Sequence, residues 1–140
     1  MRRFLVVLPL LVLPACVQTN AAVLDVTAKR APICPDGVKI YPDTQSIGER
    51  YEEVAILNST GESDWTSEEQ MLNSQRAKAA ELGANGVLYQ AINEASSGAK
   101  VAAAIFGTGT QRKGHSLAIY VPGDSLRVRT ACDGTKNRGE

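Results

Sequence analysis

The fold of this 140-residue chain is decided by residues 66–92, which read TSEEQMLNSQRAKAAELGANGVLYQAI. A Ser or Thr followed three residues later by Glu or Gln is the capping-box pattern that starts many helices. The pattern occurs twice here, at Thr66 with Glu69 and at Ser67 with Gln70, which leaves the helix start open by one residue.

One face of this helix carries apolar or small residues at steps of three and four, the spacing of an amphipathic helix. The stripe consists of Leu72, Gln75, Ala79 and Leu82, with Met71 beside it. Gly83 follows where a helix commonly ends in a left-handed residue. These features predict a helix of about 16 residues that packs against a sheet.

Four short stretches around the helix have the composition of strands. They are residues 38–41, 51–57, 86–92 and 115–121. The second contains a continuous apolar run, which predicts burial on both faces, and residues 58–61 after it indicate a turn. The pattern predicts an α+β domain with a β-α-β core: a small three- to four-stranded sheet with one principal amphipathic helix packed on one face.

The N-terminus indicates an export signal. Two arginines precede an uncharged apolar run over residues 4–13, which is too short to span a bilayer and suits a secretory signal. The run ends in Leu13-Pro14-Ala15-Cys16, which resembles the bacterial lipobox. We expect a lipoprotein signal peptide over residues 1–15 and an acylated Cys16 that holds the protein in the lipid bilayer. The alternative is ordinary secretory cleavage near residues 19–21, which would leave a soluble protein.

The remaining boundaries follow from composition. Residues 16–33 show no sustained period and are expected to be the lipidated cysteine and a flexible tether. In the alternative, residues 23–26 pack on the domain as an extra strand. The α+β domain is expected over residues 34–132, and a disordered tail over residues 133–140.

The residue after Cys16 bears on which membrane holds the protein. It is Val17, whereas an Asp at this position would resemble an inner-membrane retention signal. This difference favours an outer-membrane lipoprotein that faces the periplasm.

Composition argues against several classes of function. The 15 basic and 15 acidic residues balance, so no basic excess favours a nucleic-acid partner. One His and three Cys leave little for a metal cage, and we expect no metal and no cofactor. His115 stands alone, and neighbouring strand residues Glu52 and Glu53 point to opposite faces. Without a readable nucleophile–base pair, we expect no catalytic residues and a non-enzymatic protein.

Two further residue types are informative. If Cys16 is acylated, Cys34 and Cys132 are the two remaining cysteines, and an oxidising compartment favours a disulfide between them. Free thiols or an intermolecular bond are the alternatives.

Trp65 lies just before the helix. It is expected to act as a hydrophobic staple onto the domain, and an exposed recognition residue is the alternative.

Two surfaces are candidates for contact with a partner. Residues 95–113 contain an apolar run between glycines, and its contact residues would be Val101, Ile105 and Phe106. A strand extension with a Gly-rich hairpin is the alternative. Arg127 and Arg129 give the C-terminus a basic bias suited to an acidic envelope polymer or a lipid headgroup. A solvated, partly disordered chain end is the alternative.

Several short motifs together carry a family resemblance. They are Cys34-Pro35-Asp36, Tyr51-Glu52-Glu53-Val54-Ala55 and Leu82-Gly83-Ala84-Asn85-Gly86-Val87. Over residues 34–121 the chain resembles small bacterial envelope lipoproteins with a β-α-β domain, similar to the Rcs envelope-stress sensor lipoprotein and to YbjQ-like domains. The resemblance implies envelope-stress sensing, although the Rcs sensor carries two disulfides and this chain has cysteines for one. Within the third motif, Asn85 is expected to bond to local backbone.

The sequence therefore predicts a non-enzymatic, membrane-anchored envelope lipoprotein whose domain senses or binds an unidentified envelope protein. A periplasmic module that binds a small ligand or a metal is the alternative.

Overall fold

Five strands form one mixed sheet in the computed structural model, which describes residues 17–62, 65–93 and 110–136. The strands are β1 (Gln18–Val23), β2 (Lys39–Tyr41), β3 (Glu52–Glu62), β4 (Gly86–Asn93) and β5 (Gln111–Tyr120). Their order across the sheet is β1-β3-β5-β4-β2. Neighbouring strands are antiparallel except β2 and β4, which run parallel.

Two α-helices accompany the sheet in the described residues: α1 (Glu68–Glu81) and α2 (Ser125–Lys136). Short 3-10 turns at Pro35–Gly37 and Pro122–Asp124 precede β2 and α2. The α+β class is confirmed, but the sheet has more strands than predicted and a second helix is present. Because β3 and β4 are both antiparallel to β5, they run in the same direction, so β5 lies inside the β3-α1-β4 unit.

The start of α1 is settled by its cap. The Gln70 backbone N–H donates to Ser67 Oγ at 3.1 Å, and the Ser67 backbone N–H donates to Gln70 Oε1 at 2.8 Å. Ser67 and Gln70 therefore form the capping box. The buried stripe of α1 lies slightly to one side of the predicted one: Met71 is fully buried, whereas Leu72 is only half-buried.

The core occupies both faces of the sheet. On the face covered by α1, one buried cluster includes Leu57, Ala79 and Ala118. A second cluster includes Tyr41 and Ile119, and the alternation of side chains along β5 places it on the opposite face. The small side chain of Ala79 lets α1 lie close to the sheet, as the sequence predicts.

The expected end of the second strand was wrong. Residues 58–61 continue β3 to Glu62 because they pair along β5, from Asn58 with His115 to Glu62 with Gln111. Burial of this strand on both faces is also only partial, because Ile56 is 41% exposed. A register shift between Glu53 and Ala55 breaks the alternation, and a bulge of this kind lets consecutive residues both face inward.

The tether prediction for residues 16–33 was wrong over much of its length. Residues 18–23 form β1, an edge strand paired with β3 from Gln18–Thr60 to Val23–Ala55. Further on, the Ile33 backbone N–H donates to the Ala80 carbonyl at 3.0 Å, which joins this segment to the end of α1. Backbone pairing brings this segment into the domain, and Ala21 and Ile33 pack against the buried core.

The predicted tail also differs. Residues 133–136 belong to α2, so the folded domain extends past residue 132; residues 137–140 lie outside the described residues.

The strand directions give the sheet two distinct ends. One end, which we call the Trp65 end because Trp65 lies beside the end of β3, contains the start of β1, the end of β3, the start of β5 and the end of β4. The other end, which we call the groove end after the groove that opens there, contains the end of β1, the start of β3, the end of β5 and the start of β4. Within the described part of the chain, no helix has the length and apolar character needed to cross a membrane.

Candidate functional site

A groove of about 480 Å³ opens at the groove end of the sheet. Its apolar wall includes Ala31, Ile33, Tyr120 and Val128, and its polar lining includes Arg30, Glu52, Ser125 and Arg129. Five separate parts of the chain build it: residues 30–33, the start of β3, the turn after α1 at Gly83 and Asn85, the end of β5 and the first turns of α2. An apolar wall with a few charged groups at its rim suits a ligand or a partner segment of mixed character.

Arg30 is held in the groove wall by its neighbours. Its guanidinium lies over the Tyr120 ring, 4.9 Å from the centroid, and Nη2 donates to a carboxylate oxygen of Glu52. Gly83 lets the chain at Arg30 come close, since a Cβ there would lie 2.5 Å from the Cβ of Arg30. Gly83 also has φ of 70°, the left-handed helix end that the sequence predicts. Arg30 thus supplies a fixed positive charge that Glu52 partly neutralises.

A disulfide fastens α2, the other wall of the groove. Cys34 and Cys132 are bonded, as predicted, with their Cα atoms 5.6 Å apart. Gly37 allows this close approach, because a Cβ there would lie 3.2 Å from both Cys132 Sγ and a methyl carbon of Val128. The bond therefore ties the 3-10 turn before β2 to a helix.

Arg127 holds α2 in place from within the fold. Its Nε and Nη2 donate to Asp124 Oδ2 at 3.0 and 2.7 Å, its Nη1 to the Gly37 carbonyl at 3.1 Å, and its Nη2 to the Asn85 carbonyl at 3.1 Å. These bonds make Arg127 a structural residue rather than a contact residue. Arg129, two positions on, is exposed and lines the groove.

Asp124 also links α2 to the buried Tyr41, whose hydroxyl donates to Asp124 Oδ2 at 2.9 Å. Burial, together with this bond to a carboxylate, raises the pKa of Tyr41 to about 12. Burial alone would raise the pKa of Asp124, but hydrogen bonds from Arg127 and Tyr41 outweigh it and lower that pKa. At neutral pH the pair is therefore a neutral phenol and a carboxylate, which suits a structural link.

Asn85 has a role that the sequence did not reveal. Its side-chain nitrogen donates to the Val121 carbonyl at 2.8 Å, and its side-chain oxygen accepts from the Val121 backbone N–H at 2.7 Å. The expectation of local bonding was wrong, because the partner lies 36 residues away. Asn85 is buried and joins the turn after α1 to the end of β5, beneath the groove. A buried Asn in a Gly-Ala-Asn-Gly turn gives no signal of a distant partner.

At the other end of the sheet, Trp65 departs from its predicted role as a staple. It is 75% exposed, because Thr66 takes the inward position beside Gly61. The Trp65 backbone N–H donates to the Glu62 carbonyl at 3.3 Å, which keeps the residue next to the end of β3. Its exposed position agrees with the alternative expectation for Trp65 rather than with a staple.

His115 is exposed, and its Nδ1 lies 2.6 Å from Asn58 Oδ1. The residues that the structure describes contain no group of three or more His, Cys, Asp or Glu side chains placed to hold a metal ion.

Several predicted site residues lie outside the described residues. They are the lipidation residue Cys16 and the contact residues Val101, Ile105 and Phe106.

Comparisons with known proteins give a fold likeness. No protein-family model and no curated protein sequence matches the chain. The crystal structure of a Francisella virulence factor, FvfA, in its orthorhombic form is similar, with a TM-score of 0.51 and 12% sequence identity. The match covers 73% of this chain and 96% of that chain. At this identity the likeness concerns the arrangement of helices and strands.

Proposed function

We propose that this chain is a non-enzymatic lipoprotein of the bacterial outer membrane, anchored through acylated Cys16 and facing the periplasm. Its domain would be a sensing or protein-interaction module. The lipobox-like Leu13-Pro14-Ala15-Cys16 supports the anchor, and the Cys34–Cys132 disulfide suits the oxidising periplasm.

The observation that carries the proposal is the position of the groove relative to the anchor. β1 begins at Gln18, two residues after Cys16, and Gln18 pairs with Thr60 near the end of β3. The groove includes Glu52, at the start of β3. Strands rise about 3.3 Å per residue, so the groove lies on the order of 25–30 Å from the anchored end. A groove in this position would face away from the membrane and remain accessible to a periplasmic partner.

The chemistry of the groove favours a partner segment with a carboxylate beside apolar side chains. Arg129 offers an exposed guanidinium, and arginine recognises carboxylates through two parallel hydrogen bonds. The adjacent wall of Ile33, Tyr120 and Val128 would bury apolar side chains. We expect an envelope protein to dock here through an exposed segment of this kind.

Two measurements test the proposal. The intact mass of protein purified from envelope membranes without reductant should equal residues 16–140 plus a glyceryl and three acyl groups, minus two hydrogens. An unlipidated mass starting near residue 22 would contradict the anchor.

The second measurement is photo-crosslinking in intact envelopes. A photo-reactive phenylalanine analogue at position 125, in place of the exposed groove residue Ser125, leaves Arg129 intact and should give a discrete adduct with an envelope protein. The same analogue at position 136, which replaces the exposed Lys136 in the last turn of α2, should not give that adduct. Identical adducts from both positions, or none from position 125, would contradict a docking groove.

A small-ligand site is the second candidate, and the groove volume favours it. About 480 Å³ falls within the range of small-molecule pockets. Calorimetric titration with decanoate, a carboxylate with an apolar tail, should show saturable binding that Arg129→Ala weakens and Lys136→Ala does not. Equal affinity in all three proteins would argue against this candidate.

A further inference from the structure

The short link between Cys16 and β1 constrains how the domain meets a membrane. Two residues of chain span at most about 7 Å, whatever their conformation. β3 extends two residues past Thr60, the partner of Gln18, and so reaches about 7 Å beyond the level at which β1 begins. The level of Glu62 is therefore within reach of the point where the proposed lipid anchor enters the bilayer.

Trp65 lies at this level. Its backbone N–H bonds to the Glu62 carbonyl, and its side chain is 75% exposed. Leaving so large an aromatic side chain in water is costly, since burying such a ring contributes substantially to folding and binding. Tryptophan is enriched at membrane–water interfaces, where its apolar ring and its polar N–H both find suitable surroundings.

We infer that Trp65 docks the Trp65 end of the domain onto the interfacial region of the bilayer that holds the anchor. The inference rests on the proposed lipidation of Cys16, because only a short anchor keeps this end at the surface. One covalent anchor leaves the domain free to tilt, and a second contact at Trp65 restricts that tilt. The groove then keeps a defined direction away from the membrane.

The charges at this end indicate which lipids it suits. Among the described residues, the charged side chains at this end are the exposed Glu62, Glu68, Glu69 and Lys113 and the half-buried Arg112, which pairs with Gly61. Three carboxylates against two cationic side chains leave no positive excess to attract an anionic surface. The surface therefore fits zwitterionic headgroups, and the indole ring supplies the contact.

Trp65 also provides the test, because it is the sole tryptophan of the chain. Protein purified from envelope membranes, with its lipidation confirmed by intact mass, is reconstituted into phosphatidylcholine–phosphatidylethanolamine vesicles. Relative to the Cys16→Ser protein beside the same vesicles, Trp65 emission should shift to shorter wavelength. It should also be quenched by lipids that carry a nitroxide near the headgroup and be shielded from aqueous iodide.

The matched control moves the indole to the opposite end. Leu126 is 71% exposed and lies in the first turn of α2, at the groove end. In the lipidated double variant Trp65→Phe/Leu126→Trp, the emission should remain that of an indole in water, open to iodide and insensitive to the nitroxide lipids.

The outcomes separate the two claims. An unlipidated mass overturns the proposed anchor and the inference with it. A lipidated protein whose Trp65 remains open to iodide overturns the inference alone. Equal quenching of the indoles at positions 65 and 126 also overturns it, because the domain would then lie on the membrane without a preferred end. Stronger quenching after one third of the lipid is replaced by phosphatidylglycerol would contradict the zwitterionic preference.

Discussion

The two ends of the sheet are held together in different ways. At the groove end, the links join residues distant in sequence: the disulfide spans 98 residues and the Tyr41–Asp124 hydrogen bond spans 83. At the Trp65 end, the bonds that start α1 join Ser67 and Gln70, three residues apart. The groove therefore exists only when the N-terminal part of the domain and α2 are docked, whereas the helix start needs little more than its own sequence.

The largest effect is expected from removing the disulfide. In the Cys34→Ser/Cys132→Ser protein, we expect the free energy of unfolding to fall by about 2–5 kcal/mol, because the bond closes a loop of nearly the whole domain. Amide hydrogens in α2 should lose protection before those in α1, since the groove end loses its covalent link.

Urea denaturation and hydrogen exchange measure both parts of this prediction, and reduced wild-type protein serves as the control. A loss below about 1 kcal/mol, or simultaneous opening of the two helices, would show that the two ends do not differ in this way.

A matched pair of arginines sharpens the comparison within the groove end. Arg127→Ala should cost about 2–3 kcal/mol, because it removes bonds to a carboxylate and to two carbonyls. Arg129→Ala, in the same helix but exposed, should change stability by less than about 0.5 kcal/mol. Urea unfolding of both variants provides the measurement, and equal losses would rule out the structural role of Arg127.

Alkaline pH should weaken the groove end selectively. The folded-state pKa of Tyr41 is raised to about 12, so its contribution is complete below pH 10 and is lost as the pH rises through 12. By pH 12 the wild-type protein should lose about 2 kcal/mol more than Tyr41→Phe, whose ring cannot ionise. Unfolding free energies of the two proteins at pH 9 and pH 12 test this, and parallel losses would contradict it.

The smallest effect is expected at the Trp65 end. Ser67→Ala should cost about 1 kcal/mol, since it removes the side-chain acceptor that caps α1. Glu69→Ala, which removes the other sequence candidate for the capping box, should cost only a few tenths of a kcal/mol through the helix dipole. Thermal or urea unfolding decides between them, and a larger loss at Glu69 would reverse the assignment of the cap.

Residues 66–92 show how far local pattern carries. The capping box, the end of α1 at Gly83 and the strand that follows were predicted, because each depends on neighbours within a few residues. The choice between Thr66 and Ser67 as the capping residue needed the structure. Thr66 is buried beside Gly61, and Ser67 caps the helix. That arrangement also leaves Trp65 in solvent, which no local pattern indicates.

The candidate site was harder to predict, because its walls come from distant parts of the chain. Arg129 was recognised as an accessible cation, and the disulfide followed from two available cysteines in an oxidising compartment. Arg127 was assigned the same role as Arg129, because the sequence does not show that its donors meet the Gly37 and Asn85 carbonyls. Glu52 and Tyr120 hold Arg30 in the groove wall, and nothing in the sequence pairs either of them with Arg30.

The sequence by itself determined the α+β class, the helix α1 with its glycine end, most of the strands and the cysteine pair. These depend on periodicity, caps and chemistry that act over short distances along the chain. Only the tertiary structure decided that residues 18–23 form a strand, that β5 enters between β3 and β4, and that residues 125–136 form a helix against Gly37. The physical reason is that strand pairing and burial depend on partners far away in sequence, and a side-chain pattern does not name those partners.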